Sequence, residues 1–439
     1  MRPLLAQAAI WTLVYLAAPL LALLVAVLGD PPAPRGFWVE FGVALGFIAL
    51  AMLVMQFALT ARFRRLAPPV GLDAMMQFHR QAGLVAVTYA LAHPVVLILA
   101  EPSFLAFYNP FDQFARAAAL LFVTFALLAL LVSTYWRGAL GISYEWWRRA
   151  HAFLATMIVF VGLVHVQRVG HYVDSIGQRA FWVVFVGFAL CLMLYTRVVK
   201  PWLMAKRPYR VSAVRRERGR SWTIALEPEG HEGMRFEAGQ FVWATLGGSP
   251  YAMREHPFTI ASSAERAGAF ELTIKELGDA TNRIGETPVG ARFCIDGPHG
   301  RFTLDPRAEG FVFIAGGIGI TPMMSMLRTL RDRGDTRPCT LVYGVASLDN
   351  AIFLDELRAL SESMPLRLEF VPDEPPDGWA GASGMMSAET LDRLVGAEDV
   401  RRRVWYICGP EPMMDLTERW LRKRGAPLAN VRAERFKIV

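Results

Sequence analysis

The sequence predicts a multi-domain membrane protein: a six-helix transmembrane bundle, then an antiparallel β-barrel, then a doubly wound α/β domain. The chain has 439 residues, of which 54% are hydrophobic, and a mean hydropathy of +0.31. This composition is too apolar for an ordinary soluble protein. The apolar excess lies almost entirely in the first 200 residues, and the remainder has the regular charge of a soluble region. We therefore expect domains over residues 1–205, 206–306 and 307–439.

Six apolar stretches are long enough to cross a bilayer, which takes about 20 residues. They cover residues 8–29, 38–60, 75–100, 112–135, 150–169 and 180–200. Basic residues gather in alternate connections: Arg62, Arg64 and Arg65; then Arg137, Arg148 and Arg149; then Arg197, Lys200, Lys206 and Arg207. Because basic loops stay on the cytoplasmic side, both termini are predicted to be cytoplasmic.

Charge and cysteine content exclude other classes of protein. The net charge of +7 is explained by the cytoplasmic flanks of the spans, and there is no basic stripe with interleaved aromatic residues. We therefore predict no nucleic acid partner. The four cysteines are far apart in the sequence, whereas a four-cysteine iron–sulfur cluster needs closely spaced pairs.

Four histidines in the apolar half form two pairs with equal spacing. His79 and His93 are 14 residues apart, as are His151 and His165 (93 − 79 and 165 − 151). Fourteen residues make about four helical turns, so the two histidines of each pair lie on one face of their helix, about 21 Å apart along its axis. The third and fifth spans run in the same direction, so His79 is level with His151, and His93 with His165. Imidazole is an axial ligand of haem iron, so we predict two b-type haems. The alternative, isolated core or interfacial histidines, does not explain the equal spacing.

The soluble half changes pattern twice. Short alternating runs between residues 209 and 295, separated by turn residues, predict the antiparallel barrel. From about residue 310, buried apolar strands alternate with helical stretches, which predicts a doubly wound parallel sheet.

A glycine-rich turn links the first strand of this sheet to a helix. Glycines let the backbone approach a pyrophosphate, and the N-terminus of the helix favours its charge. The alternative is a tight structural turn. The candidate binding residues are Gly316, Gly317, Gly319, Thr321 and Pro322.

Two motifs in the barrel region also suggest ligand binding. In His256-Pro257-Phe258-Thr259, the aromatic residue could stack on a ring and the hydroxyl could bond to its edge; a proline-containing edge strand is the alternative. Lysine and hydroxyl groups near a glycine turn can hold phosphates. The candidates of this second motif are Ile274, Lys275, Gly278 and Thr281.

With these motifs the chain resembles the ferric reductase and NADPH oxidase superfamily, whose soluble half is of the ferredoxin–NADP reductase type. The resemblance implies a haem domain over 1–205, an FAD-binding barrel over 206–306 and an NAD(P)-binding domain over 307–439. It implies that His256 to Thr259 contact the flavin, with Thr259 near the reactive ring nitrogen, and that Lys275 takes the place of an arginine. It also implies that Cys408, Gly409 and Pro410 lie beside the nicotinamide and that Phe436 covers the flavin. Thr259, Cys408 and Phe436 are thus the expected catalytic residues.

The resemblance implies an oxidoreductase that passes electrons from cytoplasmic NAD(P)H through FAD and two haems to an outer acceptor. The expected location is an inner (plasma) membrane of bacterial type, in contact with lipid, and a membrane partner subunit is left open. The acceptor is oxygen or a ferric chelate, which Arg168 and His171 could attract near the outer histidines. The alternative is a non-enzymatic haem cytochrome subunit that delivers electrons to a partner protein. Ala346, where NADPH users often have arginine, favours weak discrimination that leans to NADH.

Overall fold

The computed structural model describes residues 2–28, 32–61, 71–246, 249–252, 254–266, 268–278 and 281–436. The chain divides into two compact units, Met1–Pro201 and Trp202–Val439. The basic residues predicted after the second span, Arg62, Arg64 and Arg65, lie outside the described residues.

The first unit is helical. Its helices are α1 (Arg2–Val27), α2 (Phe37–Thr60), α3 (Gly71–Ala100), α4 (Pro110–Trp136), α5 (Tyr144–Val169) and α6 (Ile176–Leu194). A π-helical segment, Tyr195–Val199, continues α6 into the short α7 (Lys200–Ala205).

Five helices in the described part of the chain are long and apolar enough to cross a membrane. They are Phe37–Thr60, Met75–Ala100, Pro110–Trp136, Tyr144–Val169 and Ile176–Ala205. These five match the predicted second to sixth spans. The first predicted span coincides with α1, whose described apolar stretch, Leu13–Val27, is shorter than a bilayer requires. Six spans therefore remain a prediction.

Local sequence sets the ends of the helices in this unit. Ser143 accepts a hydrogen bond from the Trp146 N–H and so caps the start of α5. Gly170 ends α5 with a φ of +66°, a conformation that favours glycine. Ser175 and Gln178 form a reciprocal capping box at the start of α6. The bounds of α5, which carries two of the four histidines, are thus fixed by its own sequence.

The second unit begins with an antiparallel sheet. Its strands are β1 (Tyr209–Glu217), β2 (Ser221–Pro228), β3 (Phe241–Leu246), β4 (Glu255–Thr259), β5 (Phe270–Lys275) and β6 (Arg292–His299). They are arranged in the order β4-β3-β6-β1-β2-β5. Among the described residues, one isolated antiparallel bridge, between Ile260 and Leu272, joins the two edges of the sheet. The sheet curls towards closure, but the closed barrel that the sequence predicts is not confirmed.

The remainder forms a parallel sheet with helices on both faces. Its strands are β7 (Phe311–Gly316), β8 (Cys339–Val345), β9 (Leu366–Pro372), β10 (Val404–Cys408) and β11 (Val431–Ala433). Its helices are α8 (Ile320–Asp332), α9 (Leu354–Ser363), α10 (Ala388–Leu394), α11 (Ala397–Arg402) and α12 (Glu411–Lys423). Alternate residues of β7 pack into separate cores, with Phe313 on the face of α8 and α9 and Ile314 on the face of α10 and α12. This is the predicted doubly wound arrangement.

The strand order of this sheet is β11-β10-β7-β8-β9, and all neighbours are parallel. The chain moves outward in one direction from β7 to β9 and returns to the other side of β7 with β10. The order therefore reverses between β7 and β10. Doubly wound sheets bind ligands at the carboxyl ends of the strands where the order reverses.

Candidate functional site

The four histidines of the first unit meet as two pairs. The ring centroids of His79 on α3 and His151 on α5 are 6.4 Å apart. Those of His93 on α3 and His165 on α5 are also 6.4 Å apart. The structure thus places His79 beside His151 and His93 beside His165, as the equal spacing on two helices of the same direction predicts.

A glycine face on α2 holds the ring of His93. His93 Nδ1 donates a hydrogen bond to the C=O of Gly42, at 2.8 Å, so Nε2 is the nitrogen left to act as a ligand. A Cβ placed on Gly46 would lie 2.8 Å from His93 Nδ1, so only glycine leaves room for the ring. Sequence reasoning missed these residues. The spacing of Gly42 and Gly46, typical of closely packed membrane helices, is the signal that could have found them.

The second pair, His79 with His151, includes buried polar atoms that have no hydrogen-bond partner among the described residues. The Nδ1 atoms of His79 and His151 are buried, and neither finds a hydrogen-bond partner among the described residues. The Nε1 atom of Trp147 is also buried without a hydrogen-bond partner among these residues, and the Trp147 ring lies 5.0 Å from that of His151. Since buried polar atoms in proteins normally have partners, these atoms indicate a place for a ligand.

The pairs fit the axial ligation of haem. A metal held between two imidazoles at roughly 2 Å from each nitrogen separates the ring centroids by about 6 Å, close to the observed 6.4 Å. Within the described ranges no three His, Cys, Asp or Glu side chains gather around a common point. Two facing imidazoles are the side chains that a haem would need from the protein, since its porphyrin would supply the other nitrogen ligands.

A polar cluster lies in the connections at the end of the bundle nearer His93. Tyr172 donates a hydrogen bond to Glu40 near the start of α2, and the backbone N–H of Arg35 donates to the same carboxylate at 3.0 Å. The Arg35 guanidinium lies 5.9 Å from the Tyr172 ring. Burial and the charge of Arg35 lower the pKa of His171, against the opposing effect of Glu40. Arg168, the other residue expected here, is exposed.

The His256–Thr259 motif forms β4, an edge strand, which explains how it accommodates Pro257. Phe258 lies opposite Val242, and Thr259, which is buried, lies opposite Phe241. The bridge that follows the strand joins it to β5. The motif is therefore brought close to the strand that carries the second motif.

The second motif runs from the end of β5 into a turn. Ile274 is buried in the sheet, and Lys275 is its last residue, opposite Ser221. Thr281 Oγ1 accepts a hydrogen bond from the Leu277 N–H at 3.0 Å, and the Thr281 N–H donates to the Gly278 C=O at 2.9 Å. The threonine hydroxyl thus closes the turn that Gly278 begins.

The glycine loop, Gly316–Gly319, packs against the loop after β10. A Cβ on Gly316 would lie 2.5 Å from Pro410 Cδ, and one on Gly319 would lie 2.3 Å from the Cys408 backbone oxygen. By contrast, a Cβ on Gly317, whose φ is +53°, would meet nothing within 4 Å. The loop is closely packed on one side and open on the other, at the point where the strand order reverses.

The remaining predicted residues of this loop begin α8. Thr321 Oγ1 donates to the Ile318 C=O at 3.0 Å, and Pro322 occupies the first turn of the helix. A buried neighbour also contributes, since the Tyr343 hydroxyl donates to the Gly317 C=O at 3.0 Å. Together these contacts hold the loop in a fixed shape beside the start of α8.

The loop after β10 carries Cys408, Gly409 and Pro410. The side chain of Cys408 is fully buried in the domain core. A Cβ on Gly409 would lie 2.9 Å from the Gly316 backbone nitrogen, so this glycine allows the two loops to touch. The structure therefore unites two motifs that are about ninety residues apart in the sequence.

The C-terminal segment runs past the end of β10. The Glu434 N–H donates to the Ile407 C=O at 3.1 Å. Arg435 pairs with Asp415 at 2.8 Å and with Glu418 at 3.0 Å, both on α12. Phe436, the last described residue, keeps 41% of its surface exposed. An exposed aromatic ring on an anchored segment is suited to covering a flat ligand.

Three protein families match successive parts of the chain. Residues 45–162 match the ferric reductase like transmembrane component, residues 218–304 the oxidoreductase FAD-binding domain, and residues 313–419 the oxidoreductase NAD-binding domain. His79, His93 and His151 lie inside the first match, and His165 lies three residues beyond its end. The motifs of β4 and β5 fall in the second, and the glycine loop and Cys408 fall in the third.

Individual proteins match only part of the chain. NADH-cytochrome b5 reductase 1 of Debaryomyces hansenii is 34% identical over 36% of this chain and 57% of its own. Ferredoxin–NADP reductase B of Sorangium cellulosum is 29% identical over 48% of this chain and 90% of its own. For three of the most similar curated relatives, this chain spans only 53% to 57% of their length.

Solved structures resemble the chain over about half of its length. The FAD/NAD binding domain of the nitric oxide dioxygenase of Vibrio cholerae is 20% identical, with a TM-score of 0.47, over 52% of this chain and 98% of its own.

The chain therefore combines, in this order, regions similar to a ferric reductase-like transmembrane component, an oxidoreductase FAD-binding domain and an oxidoreductase NAD-binding domain. The chain has the domain architecture of the ferric reductase and NADPH oxidase superfamily.

Proposed function

We propose that the protein carries electrons from cytoplasmic NAD(P)H through FAD and two b-type haems to an acceptor on the outer face of a bacterial-type inner membrane. The acceptor is oxygen, which forms superoxide, or a ferric chelate. The observation that supports this proposal best is the presence of two facing histidine pairs, His79 with His151 and His93 with His165, each with ring centroids 6.4 Å apart. Ionisable side chains inside membrane helices are costly, and those that occur usually serve a function.

The histidines are the proposed haem ligands. His79 and His151 would hold the inner haem, and His93 and His165 the outer one. Haem iron supplies one-electron redox chemistry when bound. The Gly42 C=O fixes the tautomer of His93 by accepting its Nδ1–H, which keeps Nε2 unprotonated as a ligand.

The soluble half is the proposed entry point of the electrons. FAD supplies the exchange between two-electron and one-electron transfer when bound. His256, Pro257, Phe258 and Thr259 would bind the flavin ring, and Ile274, Lys275, Gly278 and Thr281 its phosphates. The open side of the glycine loop would receive the pyrophosphate of NAD(P)H, with Cys408, Gly409 and Pro410 beside the nicotinamide and Phe436 over the flavin.

The polar cluster near His93 is the proposed exit point. Arg168 is an exposed cation in this region, and the Arg35 guanidinium is a second one, 3.8 Å from the Glu40 carboxylate. Positive charge at an exit point attracts an anionic ferric chelate and stabilises a developing superoxide anion. Both acceptors therefore remain in the proposal.

Haem counting in histidine variants tests this function. The purified chain should contain two haems with a low-spin spectrum, and alanine at any one of the four histidines should remove one haem. His171→Ala is the matched control, because it removes a histidine of the same unit outside the pairs. Two haems retained in all four variants would rule out the assignment. Anaerobic addition of NADH or NADPH, followed by oxygen or a ferric chelate, then identifies the acceptor.

A further inference from the structure

Helix α8 connects the two ligand sites that the reductase half needs. It begins directly after the glycine loop, which ends at Gly319. Its Ser325, Arg328 and Thr329 share one face, because residues three and four apart lie side by side on a helix. That face lies against residues 261–264, the segment that follows β4 after one residue.

Three hydrogen bonds join this face of α8 to the segment. Ser325 Oγ donates to a carbonyl oxygen of the segment at 2.8 Å, and Thr329 Oγ1 accepts from one of its N–H groups at 2.9 Å. Between them, Arg328 Nη1 donates to the C=O of Ala261 at 2.9 Å. The helix that starts at the nucleotide site is thus fastened to the backbone that continues from the flavin site.

Arg328 is the charged centre of this contact and is only 7% exposed. Its Nη1 also donates to Glu271 on β5 at 3.2 Å. Its Nε and Nη2 donate to the two oxygens of Glu356 on α9, at 2.8 and 2.5 Å. One guanidinium therefore ties α8 both to the FAD-binding sheet and to its own domain.

The carboxylate of Glu271 remains charged in this buried place. Burial raises its pKa, but the hydrogen bond from Arg215, at 2.8 Å, and the charge of Arg328 outweigh that effect and hold the pKa below its ordinary value. Removing one partner of a buried ion pair is strongly destabilising, because the other charge stays buried without compensation. The position of α8 is therefore sensitive to the loss of Arg328.

We propose that Arg328 is a positioning residue that sets how the nicotinamide meets the flavin, an inference that rests on the proposed binding of NAD(P)H and FAD. In hydride transfer the nicotinamide C–H bond breaks and NAD(P)H becomes NAD(P)⁺, while FAD takes up the hydrogen and both electrons. Reacting atoms need to approach to about 3–3.5 Å, and a displacement of about 1 Å costs on the order of 100-fold in rate. A tilt of α8 would move the nucleotide relative to the flavin by such a distance.

The test compares Arg328→Met and Arg328→Lys in the full-length chain loaded with FAD. Arg403→Gln is the matched control, because the contacts of Arg403 with Asp399 at 2.8 Å and Thr340 at 3.0 Å stay inside the nucleotide domain. Anaerobic stopped-flow measurements give the flavin reduction rate at saturating NADH, the Kd for NADH, and the long-wavelength charge-transfer absorbance that reports stacking of the two rings.

We expect Arg328→Met to slow flavin reduction by about tenfold or more and to weaken the charge-transfer band, with Kd and FAD content changed by less than about threefold. Arg328→Lys should recover part of the rate, because it keeps the charge but loses the planar fork. Arg403→Gln should lower the melting temperature without changing the rate or the band.

An unchanged rate and band in Arg328→Met, together with the same drop in melting temperature as in Arg403→Gln, would reduce Arg328 to a stabilising role. If Arg328→Met does not fold, the rate and band of Arg328→Lys decide the question alone. Wild-type protein whose flavin is reduced by neither NADH nor NADPH would instead contradict the proposed function, which separates the two failures.

Discussion

At the scale of the residue, the predicted site residues differ in how far they are exposed. Thr259 is buried in β4, whereas Gly317 faces open space. Cys408 is fully buried, so its loop offers its backbone to the crevice. The motifs, together with the family that they resemble, predict these residues as site residues; which atom of each is available is known only from the packing.

Thr259→Ala should slow flavin reduction by about tenfold, or roughly 1.4 kcal/mol, while haem content stays the same. The reason is that the hydroxyl is expected near the reactive ring nitrogen of the flavin, so its loss removes a hydrogen bond there. Anaerobic stopped-flow with NADH measures the rate. Thr273→Ala is the control, a buried threonine on β5 outside the flavin motif. Lost haem with intact flavin reduction in Thr259→Ala would contradict the assigned role.

Nucleotide preference should be weak and lean to NADH. Ala346 directly follows β8 and supplies no guanidinium for a 2′-phosphate. Two acidic residues lie beside this position. The Asp373 and Glu374 N–H groups donate hydrogen bonds to the Val345 and Ala346 carbonyls, each at 2.8 Å. The ratio of kcat/KM for the two nucleotides measures the preference. Ala346→Arg should shift it towards NADPH, and a wild-type preference for NADPH beyond about 100-fold would show the interpretation to be wrong.

At the scale of the element, the period of the α-helix made the histidine pairs predictable. Because α3 and α5 are single helices, a spacing of 14 residues places each pair of histidines on one face. The role of α2 was not predictable in the same way. Gly42 and Gly46 act on a helix that is distant in sequence, and the choice of packing partner depends on the whole bundle.

The same limit applies to the antiparallel sheet. Alternating runs predicted its strands, but the order β4-β3-β6-β1-β2-β5 and the single bridge between its edges depend on contacts between distant strands. For the parallel sheet, the sequence also restricted how the strands are connected. Alternating strands and helices imply right-handed crossovers and a buried sheet, which restrict the topology to few choices.

Gly46→Val should remove the outer haem and leave the inner one. A Cβ at this position would lie 2.8 Å from His93 Nδ1, so the ring would have to leave the place where it bonds to Gly42. Haem content and redox titration measure the result. Gly187→Val is the control, a glycine of α6 whose Cβ would meet nothing within 4 Å. Two haems with unchanged potentials in Gly46→Val would mean that α2 does not position the outer pair.

At the scale of the whole molecule, charge and histidine order predict a direction for the proposed electron flow. Arg137 directly follows α4, and Arg148 and Arg149 lie in the first two turns of α5, whereas the segment from Glu101 to Asp112 has no basic residue. By the positive-inside rule we expect the chain after α6, with the proposed flavin and nucleotide domains, to lie in the cytoplasm. The two histidine pairs would form successive steps from that side to the other, so electrons should cross the membrane outward.

Sealed inside-out vesicles test this direction. NADH added outside the vesicles should reduce an impermeant acceptor trapped in the lumen. His93→Ala should abolish that reduction and leave flavin reduction near normal, because only the step through the outer pair loses its carrier. Cys191→Ser, which changes an exposed residue of α6 outside both histidine pairs and the polar cluster, is the control for folding and insertion. Reduction of an impermeant acceptor on the nucleotide side alone, at full rate and insensitive to His93→Ala, would mean that the haems are not the route and that the protein is a membrane-tethered flavin reductase.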